Sequence, residues 1–292
     1  MSDDRLVADG GTDASPFDGE VTLPSALDAI AEQPPLVHCI TNDVTVNDVA
    51  NVTLHWGALP VMAVDPREVE TMAGAAAGLY LNMGTVDEDE EEMIAAGQAA
   101  NEAGTPVAFD PVGVGATPTR DEVAAEILEQ VDVSIVKGNY GEVTALAGED
   151  AEVQGVESVG EYAEIAETAM SLAADTDAVV VASGEVDVVA DADAAYEVES
   201  GDPMMGRFVG TGCMLGVTEA VFAGALGEDR ALEAALAGTA AFGVAGEDAA
   251  EEGDWNGPAS YRTAFHDAVA AMTADGLDAG ELDARVDLAA ER

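Results

Sequence analysis

Basic residues are scarce in this chain. Nine lysines and arginines stand against 59 aspartates and glutamates, a formal net charge of −50. Nucleic acids and anionic membranes recruit lysine and arginine, so this balance argues against both as partners. Aromatic residues make up only 4% of the chain, which leaves Ala, Val and Leu to build the core. Cysteine occurs twice, at Cys39 and Cys213, with no CxxC or Cys/His spacing, so a structural zinc site is not expected. No uncharged apolar run reaches the ~18 residues of a membrane helix, and no basic-then-apolar leader opens the chain. The expectation is a soluble, cytoplasmic protein.

Apolar periodicity is abundant. Hydrophobic residues are 48% of the chain, far from the composition of a disordered acidic protein. The charge therefore belongs to a hydrated surface on a folded protein. Such a surface suits a cytoplasm of molar salt. At 1 M the Debye length is about 3 Å, and repulsion among carboxylates is screened; in dilute buffer the same repulsion strains the fold.

Residues 1–20 are polar, acidic and Gly-rich, and read as an arm preceding one domain over 21–292. Beyond the arm, β-branched runs alternate with helical patterns. Strands are expected at LVHCI, LPVMAV, GLYLNMG, PVAFDPVG, VSIVKGN and AVVVASGEVDVVAD, the last folding back on itself, with AAYEVES pairing beside it. Helices are expected over VTVNDVANVTLHWG, DEDEEEMIAAGQAANEAG, DEVAAEILEQV, YGEVTALAG and residues 158–174. After Gly210 everything to the C-terminus reads as helix, broken at Gly257-Pro258. This alternation predicts an α/β fold, a mostly parallel central sheet covered by helices. Ligands in such sheets bind at the carboxyl ends of the strands, where TND, DPVGVGA, KGNYGE and SGE all fall.

The segment Gly210-Thr211-Gly212-Cys213 precedes an apolar helical stretch. Its glycines let backbone N–H groups approach an anion, and a helix N-terminus favours negative charge. A cysteine there is expected to have a lowered thiol pKa. Asp110 opens DPVGVGA at a strand end, where it either holds a magnesium ion or closes an Asx turn. Asn139 and Glu142 either order water around magnesium or form a capping box. Lys137 is the chain's single lysine, placed at a strand end where it could pair with a phosphate. Ser183, in Ser183-Gly184-Glu185, either bonds a phosphate or makes a turn. His38 and Cys39 read as core side chains, and the acidic run Asp87–Glu92 as a solvated helix start.

Together, PLVHCITNDVTVNDVAN, LPVMA, LYLNMGT, ANEAGTPVAFDPVGVGATPTR, KGNYGEVTALAG, VVVASGEVDVV, GTGCMLG and GPASYRTAFHDAV, in this order, resemble the hydroxyethylthiazole kinase family. The resemblance runs from about residue 20 to about residue 270. It implies a ribokinase-like fold with helices on both sheet faces. It implies magnesium- and ATP-dependent phosphorylation of 4-methyl-5-(2-hydroxyethyl)thiazole in thiamine biosynthesis. It also implies a homotrimer with sites between subunits. Carried over by motif, Lys137, Ser183, Gly210 and Gly212 fall on ATP. Asp110 and Glu142 fall near magnesium. Gly210 and Val46 fall on the thiazole, Val46 in place of a substrate-contacting methionine, and Asp43 stands where the family commonly has tyrosine. Cys213 takes the catalytic position where wider ribokinase-like enzymes carry aspartate. Three other readings stand beside this one: a ribokinase-like kinase for a hydroxymethylpyrimidine or pyridoxal-like alcohol, a catalytically idle thiazole- or nucleotide-binding protein that regulates by ligand occupancy, and an acidic interaction scaffold, which explains the charge but not the convergent loops.

Overall fold

The structure is a computed structural model, and it describes residues 21–85, 90–148, 164–252, 255–275 and 277–292. The expected arm at 1–20, residues 87–89 of the acidic run and residues 158–163 of the expected helix lie outside the described residues.

Six strands run parallel: β1 (Leu36–Ile40), β2 (Leu59–Val61), β3 (Gly78–Asn82), β4 (Val107–Asp110), β5 (Ile135–Asn139) and β6 (Val179–Ser183). Three more extend the sheet antiparallel: β7 (Asp187–Ala190), β8 (Ala194–Val198) and β9 (Val286–Glu291). Their order is β2-β1-β3-β4-β5-β6-β7-β8-β9. The helices are α1 (Leu23–Glu32), α2 (Val46–His55), α3 (Val69–Ala73), α4 (Glu90–Ala103), α5 (Pro118–Gln130), α6 (Tyr140–Leu146), α7 (Ile165–Thr176), α8 (Thr211–Leu226), α9 (Ala231–Glu252) and α10 (Pro258–Ala271).

Alternation along the strands divides the core in two, because successive side chains point to opposite faces. In β3, Leu79 and Leu81 join a cluster with α3, α4, α5 and α7. Tyr80, between them, joins the opposite cluster with α1, α2, α8, α9 and α10. The sheet is thus covered on both faces, as expected. The second cluster centres on α8, whose residues from Met214 to Ala223 are all buried. A helix apolar all round belongs inside a protein.

Local signals set the helix starts. Thr22 and Ser25 cap α1 reciprocally, and Thr117 caps α5 ahead of Pro118. Asn139 and Glu142 form the capping box of α6.

The helical reading of the C-terminus is corrected by β9. VDLAAE has few β-branched residues, but β8 offers an unpaired edge, and β9 fills it from Ala194↔Glu291 to Val198↔Val286. Partner strands decide such a segment more than intrinsic propensity does. Helices α1 and α3 also went unread in the sequence.

Candidate active site

The parallel strands bring their carboxyl ends to one edge, and α8 begins over that edge. Gly210 precedes α8 with φ +103°, a left-handed conformation that favours glycine. A Cβ on Gly210 would lie 3.2 Å from Thr45 Cγ2 and 3.4 Å from Asp48 Oδ2. The start of α2, including half-buried Val46, therefore packs beside the Gly210 turn. Thr211 Oγ1 donates to Met205 O at 2.6 Å and fixes the other side. The first N–H groups of a helix have no intrahelical acceptor, so this turn presents free donors with a partial positive charge.

Asp110, Lys137 and Cys213 meet beneath that turn. Lys137 Nζ lies 3.6 Å from Asp110 Oδ1, both side chains almost fully buried. A Cβ at Gly212 would sit 2.9 Å from Lys137 Nζ, so glycine leaves the ammonium room to reach the helix start. Burial works against the charge of Lys137, but the carboxylates of Asp110, Glu142 and Asp187 hold its pKa above the ordinary lysine value. Burial pushes the Asp110 carboxyl up to about 6, with Lys137 pulling it down.

Cys213 departs from expectation in one respect. Burial, reinforced by the Asp110 charge, raises its thiol pKa. Lys137 and the hydrogen bond from Asn82 act the other way without reversing the shift. Desolvation of the thiolate outweighs these contacts, so Cys213 stands as a thiol near neutral pH.

Three polar residues that sequence reasoning missed complete the group. Asn82 Nδ2 lies 2.7 Å from Tyr80 Oη, 2.9 Å from Asp110 Oδ2 and 3.3 Å from Cys213 Sγ and shares its two protons among the three acceptors. Asn42 Nδ2 donates to Asn82 Oδ1 at 2.8 Å. Tyr80 Oη donates to Asp110 Oδ2 at 3.0 Å. Arg120, also passed over, donates to Met83 O and Gly84 O, each at 2.9 Å, and to Val112 O. It ties the loops after β3 and β4 together. A lone arginine in GATPTR, in a chain so poor in cations, was the available signal.

Glu142 is the clamp on the other side. Its Oε1 accepts from Gly113 N at 2.7 Å and its Oε2 from Asn139 N at 2.8 Å. The capping-box reading is realised, and it fastens the Gly-rich loop to α6. Ser183 Oγ donates to Gly138 O at 3.3 Å and lines a cavity of about 800 Å³. Tyr140, Asp187, Thr211 and Gly212 line the same cavity. His38 and Cys39 lie in the core, as expected: His38 Nε2 bonds Ala63 O at 2.7 Å and burial lifts the Cys39 thiol.

Among the described residues no cluster of three or more His, Cys, Asp or Glu side chains is placed to hold a metal. Asp110 Oδ1, however, is buried and accepts no hydrogen bond from the described residues. That donor set fits magnesium, which keeps several waters and takes few protein ligands.

The Hydroxyethylthiazole kinase family profile matches residues 27–275. The chain belongs to the hydroxyethylthiazole kinase family. It is similar to the hydroxyethylthiazole kinase of Natronomonas pharaonis, at 61% identity over 261 residues, 89% of this chain and 94% of that one. It is also similar to the solved hydroxyethylthiazole kinase structure from Pyrococcus horikoshii, at 34% identity and TM-score 0.79, covering 91% and 98% of the two chains. The pyridoxal kinase of Staphylococcus aureus with bound pyridoxal shares the fold, at TM-score 0.53 and 14% identity, over 72% of this chain and 86% of that one. The sheet and its helices are therefore ribokinase-like, and the chain is a kinase of this family. Among the described residues no helix is long and apolar enough to cross a membrane.

Proposed function

We propose that this chain transfers the γ-phosphoryl group of ATP to the alcohol of 4-methyl-5-(2-hydroxyethyl)thiazole, in thiamine biosynthesis. The observation that carries the reading is the meeting of Asp110, Lys137 and Cys213 under the donor-rich start of α8. Membership of the family supplies the thiazole alcohol as acceptor.

In the reaction, the substrate oxygen bonds to the γ-phosphorus, the bond to the β,γ-bridging oxygen breaks, and the alcohol proton leaves. Transfer of this kind depends on positioning and charge stabilisation more than on a strong base. The amides of Gly210 to Cys213 receive the γ-phosphoryl oxygens as charge redistributes. Lys137 pairs with phosphate, and Ser183, on the neighbouring strand and lining the 800 Å³ cavity, bonds it. Asp110 would hold magnesium, with Glu142 ordering its waters; the ion, when bound, neutralises the charge of the ATP phosphates. Cys213 orients the hydroxyl as a thiol, or takes its proton late as the thiolate. Val46 and Gly210 flank the acceptor.

The exposed side chains of Val44 (69%) and Val209 (71%) adjoin Thr45 and Gly210. A homotrimer with sites between subunits, which membership of the family suggests, would cover them. We take a cytoplasmic location as part of this reading, with ATP as the co-substrate.

Mass spectrometry of the thiazole after incubation with enzyme, ATP and magnesium tests the reading. One added phosphoryl group supports it. Unchanged thiazole, with the enzyme folded in high salt, overturns it.

A further inference from the structure

The two oxygens of Asp110 are held differently. Oδ2 accepts from Tyr80 Oη at 3.0 Å and from Asn82 Nδ2 at 2.9 Å. Oδ1 accepts no hydrogen bond from the described residues and faces Lys137 Nζ at 3.6 Å. Two donors on one oxygen fix the rotation of the carboxylate and leave the other oxygen for a different charge.

The Tyr80 hydroxyl has only one use in this arrangement. It accepts from Asn82 Nδ2 at 2.7 Å, so its own proton goes to Asp110 Oδ2. The ring is fully buried, and a phenylalanine would fill the same core volume without the hydroxyl. The space for it comes from α8. A Cβ at Gly216 would lie 2.8 Å from Tyr80 Cε2, 2.9 Å from Tyr80 Oη and 3.2 Å from Asp110 Oδ2. Glycine inside a helix is costly relative to alanine, and here its missing side chain is what admits the tyrosine.

We propose that Tyr80 is a positioning residue: its hydroxyl, seated in the gap at Gly216, pins Asp110 Oδ2 and turns Oδ1 toward Lys137 and the cation of the bound nucleotide. The proposal rests on the reading of Asp110 as the magnesium-side carboxylate. It joins β3, β4 and α8 at one point and gives a role to a β3 side chain that the sequence reading left in the core.

Calorimetric titration with ATP, with and without magnesium, tests it in about 3 M KCl on full-length Tyr80→Phe, Gly216→Ala and Asp110→Asn proteins, with melting curves as the check on folding. Tyr80→Phe removes one hydrogen bond to a charged group. Its affinity for magnesium-ATP is expected to fall about tenfold, while its affinity for ATP alone stays at the wild-type value. Gly216→Ala, which crowds the ring, is expected to show the same split. Should Gly216→Ala fail to fold, Tyr80→Phe carries the test alone. A Tyr80→Phe protein that binds both forms like wild type, or weakens equally for both, overturns the proposal. Asp110→Asn separates the two levels. If it loses the gain from magnesium and Tyr80→Phe keeps it, only the role of Tyr80 falls. If Asp110→Asn keeps that gain, the reading of Asp110 falls and takes the proposal with it.

Discussion

Asn82 Nδ2 donates to Cys213 Sγ at 3.3 Å and to Asp110 Oδ2 at 2.9 Å, so one buried amide at the end of β3 holds both residues in register. Because burial raises its pKa, Cys213 holds little thiolate near neutral pH and supplies little general base. Cys213→Ser is therefore expected to lower kcat by less than about 100-fold, the lower end of what a general base contributes. The KM for ATP should stay near wild type. Steady-state kinetics check this; abolished turnover with intact ATP binding would make the cysteine an obligatory base or nucleophile.

Asp187 lines the 800 Å³ cavity and accepts from Gly184 N at 3.0 Å. Burial raises its folded-state pKa from 3.8 to about 6. The folded protein holds that proton more tightly than the unfolded chain. Its stabilising share is complete below about pH 4 and lost as pH rises through about 6. Asp187→Asn should therefore raise Tm at about pH 8 and change it little at about pH 4. Equal changes at both pH values would contradict the assignment.

Arg262 of α10 pairs with Asp48 of α2, and His266 Nε2 lies 3.7 Å from the same oxygen. Asp48 in turn packs against the Gly210 turn. Arg262→Gln leaves a buried carboxylate with less compensation. Because Arg262 is 42% exposed, the expected cost is about 1–2 kcal/mol, below that of a fully buried pair. The Asp48→Asn/Arg262→Gln double variant should recover most of it. Denaturant unfolding of the four proteins in a cycle measures the coupling.

The net charge of −50 predicts a strong salt requirement. Tm should rise substantially from about 0.1 M to about 3 M KCl as surface repulsion is screened. Equal melting temperatures would place the stabilising balance elsewhere.

Most of the sheet was legible because its strands carry their own signal. LVHCI, LYLN, VAFD and VVVAS are β-branched or apolar runs ending in polar loops, and each became a parallel strand. β9 was not legible, because VDLAAE becomes a strand only when β8 offers an edge. The site divides in the same way. Asp110 ends a strand ahead of a Gly-rich loop, Lys137 is the single lysine, and Cys213 follows the Gly210 turn at the start of a helix, so each announces itself. Tyr80 and Asn82 sit inside an apolar run, where a tyrosine reads as core and an asparagine as the end of a strand. Only the third dimension shows that α8 lays Gly216 and Cys213 across them. The raised Cys213 pKa was missed for a related reason: the helix terminus is visible in GTGC, but the burial that raises the pKa is not.

The measurement closest to the central claim is ADP release in about 3 M KCl with ATP and magnesium, compared across acceptors: hydroxyethylthiazole, a hydroxymethylpyrimidine, pyridoxal and none. The account predicts ADP formation that requires an alcohol and has its highest kcat/KM with the thiazole. ADP formation that ignores the thiazole, or that is faster with pyridoxal or the pyrimidine, would contradict it.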